Sequence, residues 1–258
     1  MSNRRAGCTL AIIVGLSMAG IHPSVATGED KAAATRIEAM ANRLAQAQHL
    51  GVVVECAYDV VQESGQKIEF GERRVLTLRR PDRVRFEVTR RDGSRRGLVF
   101  DGTQLTAFDL DQKVYTVVSK PGTVDAALKY FTQDLHMRLP LRELVAADLP
   151  QHLKGVLGSA RLVGTETVGG VAADHVAFRG DMADVQMWIA RDGDPLPQRI
   201  VITYRQAAGE PQFEADFHGW TFNPDVADSV FTFTPPEGME RIPILTPRRG
   251  REAGEKQP

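Results

Sequence analysis

Cysteine is almost missing from this chain. Its 258 residues include only Cys8 and Cys56, and Cys8 lies in an N-terminal segment that is expected to be removed. A single remaining cysteine excludes an intramolecular disulfide. A lone thiol in an exported protein is expected to be buried, and Cys56 sits mid-strand with no histidine near it in sequence, unlike an activated nucleophile. Histidine is also sparse. His49, His136, His152, His175 and His218 are scattered, with no HxH or HxxxH pair to hold a metal. No serine has a G-x-S-x-G setting, and no glycine-rich strand-to-helix loop is available for phosphate. Asp181, Asp184, Asp192 and Asp194 lack EF-hand spacing and read as turn residues. No candidate nucleophile–base pair, metal site or cofactor site emerges, so no enzymatic activity is expected. The net charge of −1 offers nothing to nucleic acid. Long apolar runs are absent after residue 21, as are internal repeats and interdomain linkers.

The one apolar run that does exist is N-terminal. Arg4 and Arg5 precede sixteen mostly apolar residues, Ala6 to Ile21, and Ser24-Val25-Ala26 offers small side chains for cleavage before Thr27. This is the layout of a cleavable secretory signal over residues 1–26. The run is shorter than the roughly 20 apolar residues needed to span a bilayer, and Pro23 ends it. Removing 26 of 258 residues leaves 232, enough for one domain with a sizeable core. A single domain is expected over 27–246. The charged tail 247–258 (PRRGREAGEKQP from Pro247) is expected to be disordered.

Periodicity then separates helix from strand. Glu29 to Leu50 is alanine-rich, and Ile37, Met40, Leu44 and Ala47 recur at spacings of three and four, which predicts an amphipathic helix. From Val52 the period changes to two. Strands are predicted near 52–60, 67–79, 83–90, 97–101, 104–109 and 113–118, joined by turn-rich segments such as Arg80-Pro81-Asp82 and Asp101-Gly102. Residues 121–153 interrupt this meander. Val124, Leu128, Phe131 and Leu135 have helical spacing over 123–137; a second short helix is expected to open at Pro140 and close at Pro150. Strands resume near 160–167, 171–179, 184–190, 198–205, 211–222 and 230–234, with Gly169-Gly170 as a two-residue hairpin. The fold class is therefore α+β: about eleven antiparallel strands in one curled sheet, an N-terminal helix, and a helical insert covering the concave face.

Several segments together resemble a family. VLTLRRPDRVRFEV (75–88), Phe100-Asp101-Gly102 and FTFTPPEG (231–238) are similar, in order, to periplasmic lipoprotein carriers of the LolA/LolB type. ADVQMWI (183–189), PLPQRIVITY (195–204) and the Phe213 to Trp220 segment are similar to a family of predicted periplasmic proteins of unknown function that is thought to share the carrier fold. The resemblance covers about residues 30–245. It implies an open β half-barrel whose hollow holds acyl chains or other greasy ligands, with helices as lid and plug, and no catalysis or cofactor. It also implies a periplasmic monomer whose partners are a hydrophobic ligand or lipidated protein, with a membrane-associated receptor left open. In the carriers an arginine before the proline points inward and helps close the lid; Arg80, before Pro81, matches it. Because Pro81 ends the strand, Arg80 fits a solvated turn equally well. Where carriers often have an aromatic three residues after that proline, this chain has Val84.

Alternation supplies the candidate ligand-binding residues. Val52, Val54, Tyr58, Leu76, Leu78, Val84, Phe86, Leu98 and Phe100 fall on inward-facing strand positions, with Leu128, Phe131 and Leu135 on the lid. The same pattern fits an ordinary packed core, and then the protein would be a structural or sensory interaction module. Met187 and Trp188 are strand neighbours, so only one can face the hollow. Ten arginines fall between 73 and 96; Arg83 and Arg85 alternate with Val84 and Phe86 and so face outward. They form either a solvated face or a dock for an acidic partner.

Overall fold

The computed structural model describes residues 28–135, 139 and 141–244. The expected signal peptide and the C-terminal tail from residue 247 lie outside the described residues, as do Pro140 and residues 136–138. Helix α1 (Gly28–Ala45) leads into β1 (His49–Val61), β2 (Lys67–Arg79), β3 (Arg83–Arg90), β4 (Arg95–Phe100), β5 (Gln104–Asp109) and β6 (Val114–Ser119). An insert holding α2 (Val124–Lys129) and α3 (Leu149–Leu153) separates these from β7 (Arg161–Val168), β8 (Val171–Arg179), β9 (Asp184–Ala190), β10 (Pro197–Thr203) and β11 (Gln212–Phe222). A two-residue β12 (Glu240–Arg241) ends the described chain.

All twelve described strands form one curled sheet in the order β12-β6-β5-β4-β3-β2-β1-β11-β10-β9-β8-β7. Every pairing is antiparallel except β12 with β6. The order has a direct consequence. Strands β6 and β7 lie at opposite sides of the sheet, so the insert between them must cross one of its faces. The burial of Val124, Leu128 and Phe131 with the inward strand residues puts that crossing over the concave face.

That face is the core. Ile37, Met40, Ala41 and Leu44 of α1 are wholly buried against it, as the three–four spacing predicts. Helix α1 ends at Ala45, five residues before the predicted end at Leu50. The reason is tertiary: His49 and Leu50 pair with Arg79 and Leu78, and the β2 ladder takes backbone groups that a longer helix would use. Gly169 and Gly170 both have positive φ (56° and 83°), as a two-residue hairpin of strand-compatible twist requires.

Three local expectations are corrected. Residues 123–137 are not one α-helix: α2 stops at Lys129 and continues as a wider π turn over Tyr130–Asp134. Pro150 does not close a helix; it stands in the first turn of α3, where its missing N–H costs nothing. Residues 230–234 are not a sheet strand. Asp228–Phe231 forms a 3-10 turn, and the segment from Val226 to Phe233 runs as a strap over the convex face. Arg79 donates to the carbonyl of Val226 and pairs with Asp228. Arg85 donates to the carbonyls of Val230 (3.0 Å) and Thr232 (3.4 Å). Phe233 stacks on Phe108 with ring centroids 4.3 Å apart. Gly97 makes room beneath: a Cβ there would stand 2.4 Å from the Phe108 ring and 2.6 Å from the Phe86 carbonyl oxygen.

Candidate functional site

The hollow has two ends that differ. At one end the concave side chains are covered. Val52, Val54, Leu76, Leu78, Val84 and Phe100 are buried in the main cluster, and Leu128 and Leu135 of the insert join it. Arg80 ties the cover down. Its side chain is 8% exposed, donating from Nε to the carbonyl of Ala47 at 3.0 Å and from Nη2 to that of Val145 at 2.7 Å. Its Nη1 lies 3.8 Å from Asp125. Burial pulls the guanidinium below its ordinary pKa, and the Asp125 carboxylate opposes that shift. One arginine thus joins the segment after α1, α2 and the 3-10 turn at Arg142–Val145. This is the contact with a carbonyl and an acid of the insert that an inward charge at position 80 requires.

At the other end the sheet outruns its cover. Strands β1 and β2 are each 13 residues long, whereas β3 has eight. Two adjoining cavities open there. The larger, about 970 Å³, is lined by Tyr58, Leu139, Leu141, Ile202, Tyr204 and Phe213 among others. The smaller, about 330 Å³, is lined by Phe86, Val88, Leu98, Ala107 and Phe131 among others. Of the twelve residues the sequence nominates, Tyr58 lines the first cavity and Phe86, Leu98 and Phe131 line the second. The other eight are packed core. Glu72, Arg74 and Arg96 line both cavities. Glu72 and Arg74 share the strand parity of Leu76 and Leu78, and Arg96 that of Leu98 and Phe100. Carrying the alternation two residues further along each strand would have found Arg74 and Arg96, and four further along β2, Glu72.

The rim is apolar. Among the described residues seven large hydrophobic side chains are exposed, and six belong to this end. Met182 and Tyr204 line the larger cavity and Ile242 the smaller. Val60, Ile68 and Phe70 carry the concave face outward beyond Tyr58, against which Phe70 stacks at 6.1 Å. Monomeric proteins seldom leave such residues grouped without a binding purpose.

The convex face differs. Met187 faces the main core, whereas Trp188 joins a small cluster with Ala173 and Val201 on the opposite side. Trp188 stacks on His175 at 4.1 Å, and Glu166 accepts hydrogen bonds from Trp188 Nε1 (3.0 Å) and His175 Nδ1 (2.9 Å). Those bonds hold the Glu166 carboxyl below its usual range. Of the two outward arginines, Arg83 pairs with Asp82 at 2.9 Å, while Arg85 pairs with Glu87 and the strap. The chain's own C-terminal segment therefore occupies Arg85. Cys56 is buried, and burial pushes its thiol up to about 11, with nearby Arg74 countering in part. Among the described residues no group of three or more His, Cys, Asp or Glu side chains is placed to hold a metal, and no helix is long and apolar enough to cross a membrane.

Residues 33–245 match a family of predicted periplasmic proteins, DUF2092. The chain belongs to this family. The protein is accordingly periplasmic. No curated protein matches the sequence. Solved structures of similar outline share little identity with it. The lipoprotein LppX of Mycobacterium tuberculosis has 15% identity and a TM-score of 0.47, covering 76% of this chain and 97% of its own. A LolA superfamily protein from Nitrosomonas europaea has 13% identity and a TM-score of 0.40, covering 78% and 97%. MucB of Pseudomonas aeruginosa, in its complex with MucA, has 14% identity and a TM-score of 0.43, covering 79% and 61%.

Proposed function

We propose that this DUF2092 protein is a non-enzymatic binding or carrier protein for a hydrophobic ligand, held at the open end of the half-barrel. The observation that carries this reading is the pair of adjoining cavities whose apolar walls continue into an exposed apolar rim. Burying an acyl chain there would gain about 25 cal/mol per Å² of apolar surface, enough for several kcal/mol without a reactive group. Arg80 would act as the latch of the insert, which swings aside over the covered end when cargo enters. The ligand is an acyl chain, a lipid or the lipid moiety of a protein.

The test is to purify the protein from its host and extract bound lipid for mass spectrometry, followed by titration with a fluorescent fatty acid. Co-purifying lipid and saturable uptake are expected. An empty protein that also ignores the probe would sink the reading. It would favour the competing one, a structural or sensory module with a filled core, which the eight packed residues of the covered end support.

A further inference from the structure

We propose that the ligand is an amphiphile with an anionic head, and that Arg96 holds that head. This rests on the binding function above and narrows it to a chemical class. Glu72, Arg74, Arg96 and Leu139 line both cavities, so the charged cluster stands at their junction. Glu72 and Arg74 are deep, with side chains 2% and 10% exposed. One Glu72 oxygen accepts both Nε and Nη2 of Arg74, at 2.7 and 2.5 Å. A buried charge is tolerated when paired in this way.

Arg96 is placed differently. Its side chain is 44% exposed at the junction. Among the described residues its one partner is the second Glu72 oxygen, at 3.4 Å. That is long beside the roughly 2.7–2.9 Å of a charge-assisted bond. A guanidinium carries five N–H donors in a planar fork that suits a carboxylate or phosphate two at a time. The remaining acids of the lining have partners of their own. Asp109, opposite Arg96 in register, accepts the amides of Asp111 and Gln112 at 3.1 and 2.9 Å. Asp59 accepts the Gln212 amide at 3.0 Å, and Glu143 pairs with Arg142 at 3.0 Å. A neutral ligand filling the cavities would strip water from Arg96 and return nothing. An anionic head there restores a counter-charge, while its chain lies along the apolar wall of either cavity.

The experiment uses the delipidated full-length mature protein and four twelve-carbon probes: dodecanoate, dodecyl phosphate, dodecanol and dodecyltrimethylammonium. Each displaces an uncharged apolar fluorophore. One or both anions are expected to bind at least about tenfold more tightly than dodecanol, a gap of about 1.4 kcal/mol; the tighter anion identifies the head group. Arg96→Gln should shrink the gap to within about threefold and leave dodecanol affinity unchanged. Equal binding of dodecanol and both anions by the unmodified protein would overturn the head-group assignment and leave the cavity intact. Preference for the cation would overturn it too. If no probe binds, the binding function itself fails. The comparison among probes needs no variant, so a misfolded Arg96→Gln would not spare the proposal.

Discussion

The two ends of the concave face come from the same strands and the same alternation, yet one is core and the other is open. Along β2, Leu78 and Leu76 are covered, Arg74 and Glu72 are covered but charged, and Phe70 and Ile68 stand 45% and 40% exposed. The pattern of side chains along the strand changes little; what stands opposite changes completely. Over Leu76 and Leu78 lie α1 and the insert. Beyond Glu72, β2 has outrun both the cover and β3, whose pairing begins at Glu72 with Arg90. Apolar side chains on a strand thus fix which face is inward, and the crossing insert decides how much of that face becomes interior.

The contrast can be broken most forcefully at the covered end. Phe100 is wholly buried, and Phe100→Ala should cost about 3–5 kcal/mol through lost burial and the cavity left behind. Urea unfolding midpoints measure this; a loss under about 1 kcal/mol would mean that the covered end is not core. The next effect is one of pH. The Cys56 thiol has an ordinary value of 9.0 in the unfolded chain and about 11 when folded. The raised value means its contribution is fully present below pH 9 and is lost as pH climbs from about 9 through about 11. At 1.36 kcal/mol per pH unit, this amounts to about 2–3 kcal/mol. Cys56→Ala should flatten that part of the stability profile, and an unchanged profile would contradict the buried thiol.

Arg80→Met should cost about 2 kcal/mol, because the carbonyls of Ala47 and Val145 lose their donor. Its diagnostic is local: amide exchange in the insert should accelerate more than exchange in β8 and β9. Uniform acceleration would deny Arg80 its role as a latch. The smallest change in stability belongs to the open end. Phe70→Ser should shift stability by less than about 0.5 kcal/mol, while weakening uptake of a fluorescent fatty acid. Equal uptake would remove the rim from the binding surface.

Much of the fold was legible because its signals are local. The period-two runs, the hairpin at Gly169-Gly170 and the helical face of Ile37, Met40 and Leu44 depend only on neighbours in sequence. Two of the misreadings share one cause. Residues 230–234 have the alternation of a strand, but Arg79 and Arg85 capture their carbonyls on the convex face. Residues 46–50 have helical composition, but β2 claims the backbone of His49 and Leu50. Within the candidate site, Tyr58, Phe86 and Leu98 follow from alternation and Phe131 from helical spacing. Glu72, Arg74 and Arg96 carry charges, which strands ordinarily turn to solvent, and only their parity marks them as inward.

By itself, the sequence determined the strands, the facing of most of their residues and the scarcity of cysteine and histidine, since side-chain parity and residue chemistry are properties of short stretches. Only the tertiary structure decided where the hollow is filled and where it stays open. That boundary depends on how far the insert reaches as it crosses between the two sides of the sheet, and on strand lengths that matter only once the strands are paired.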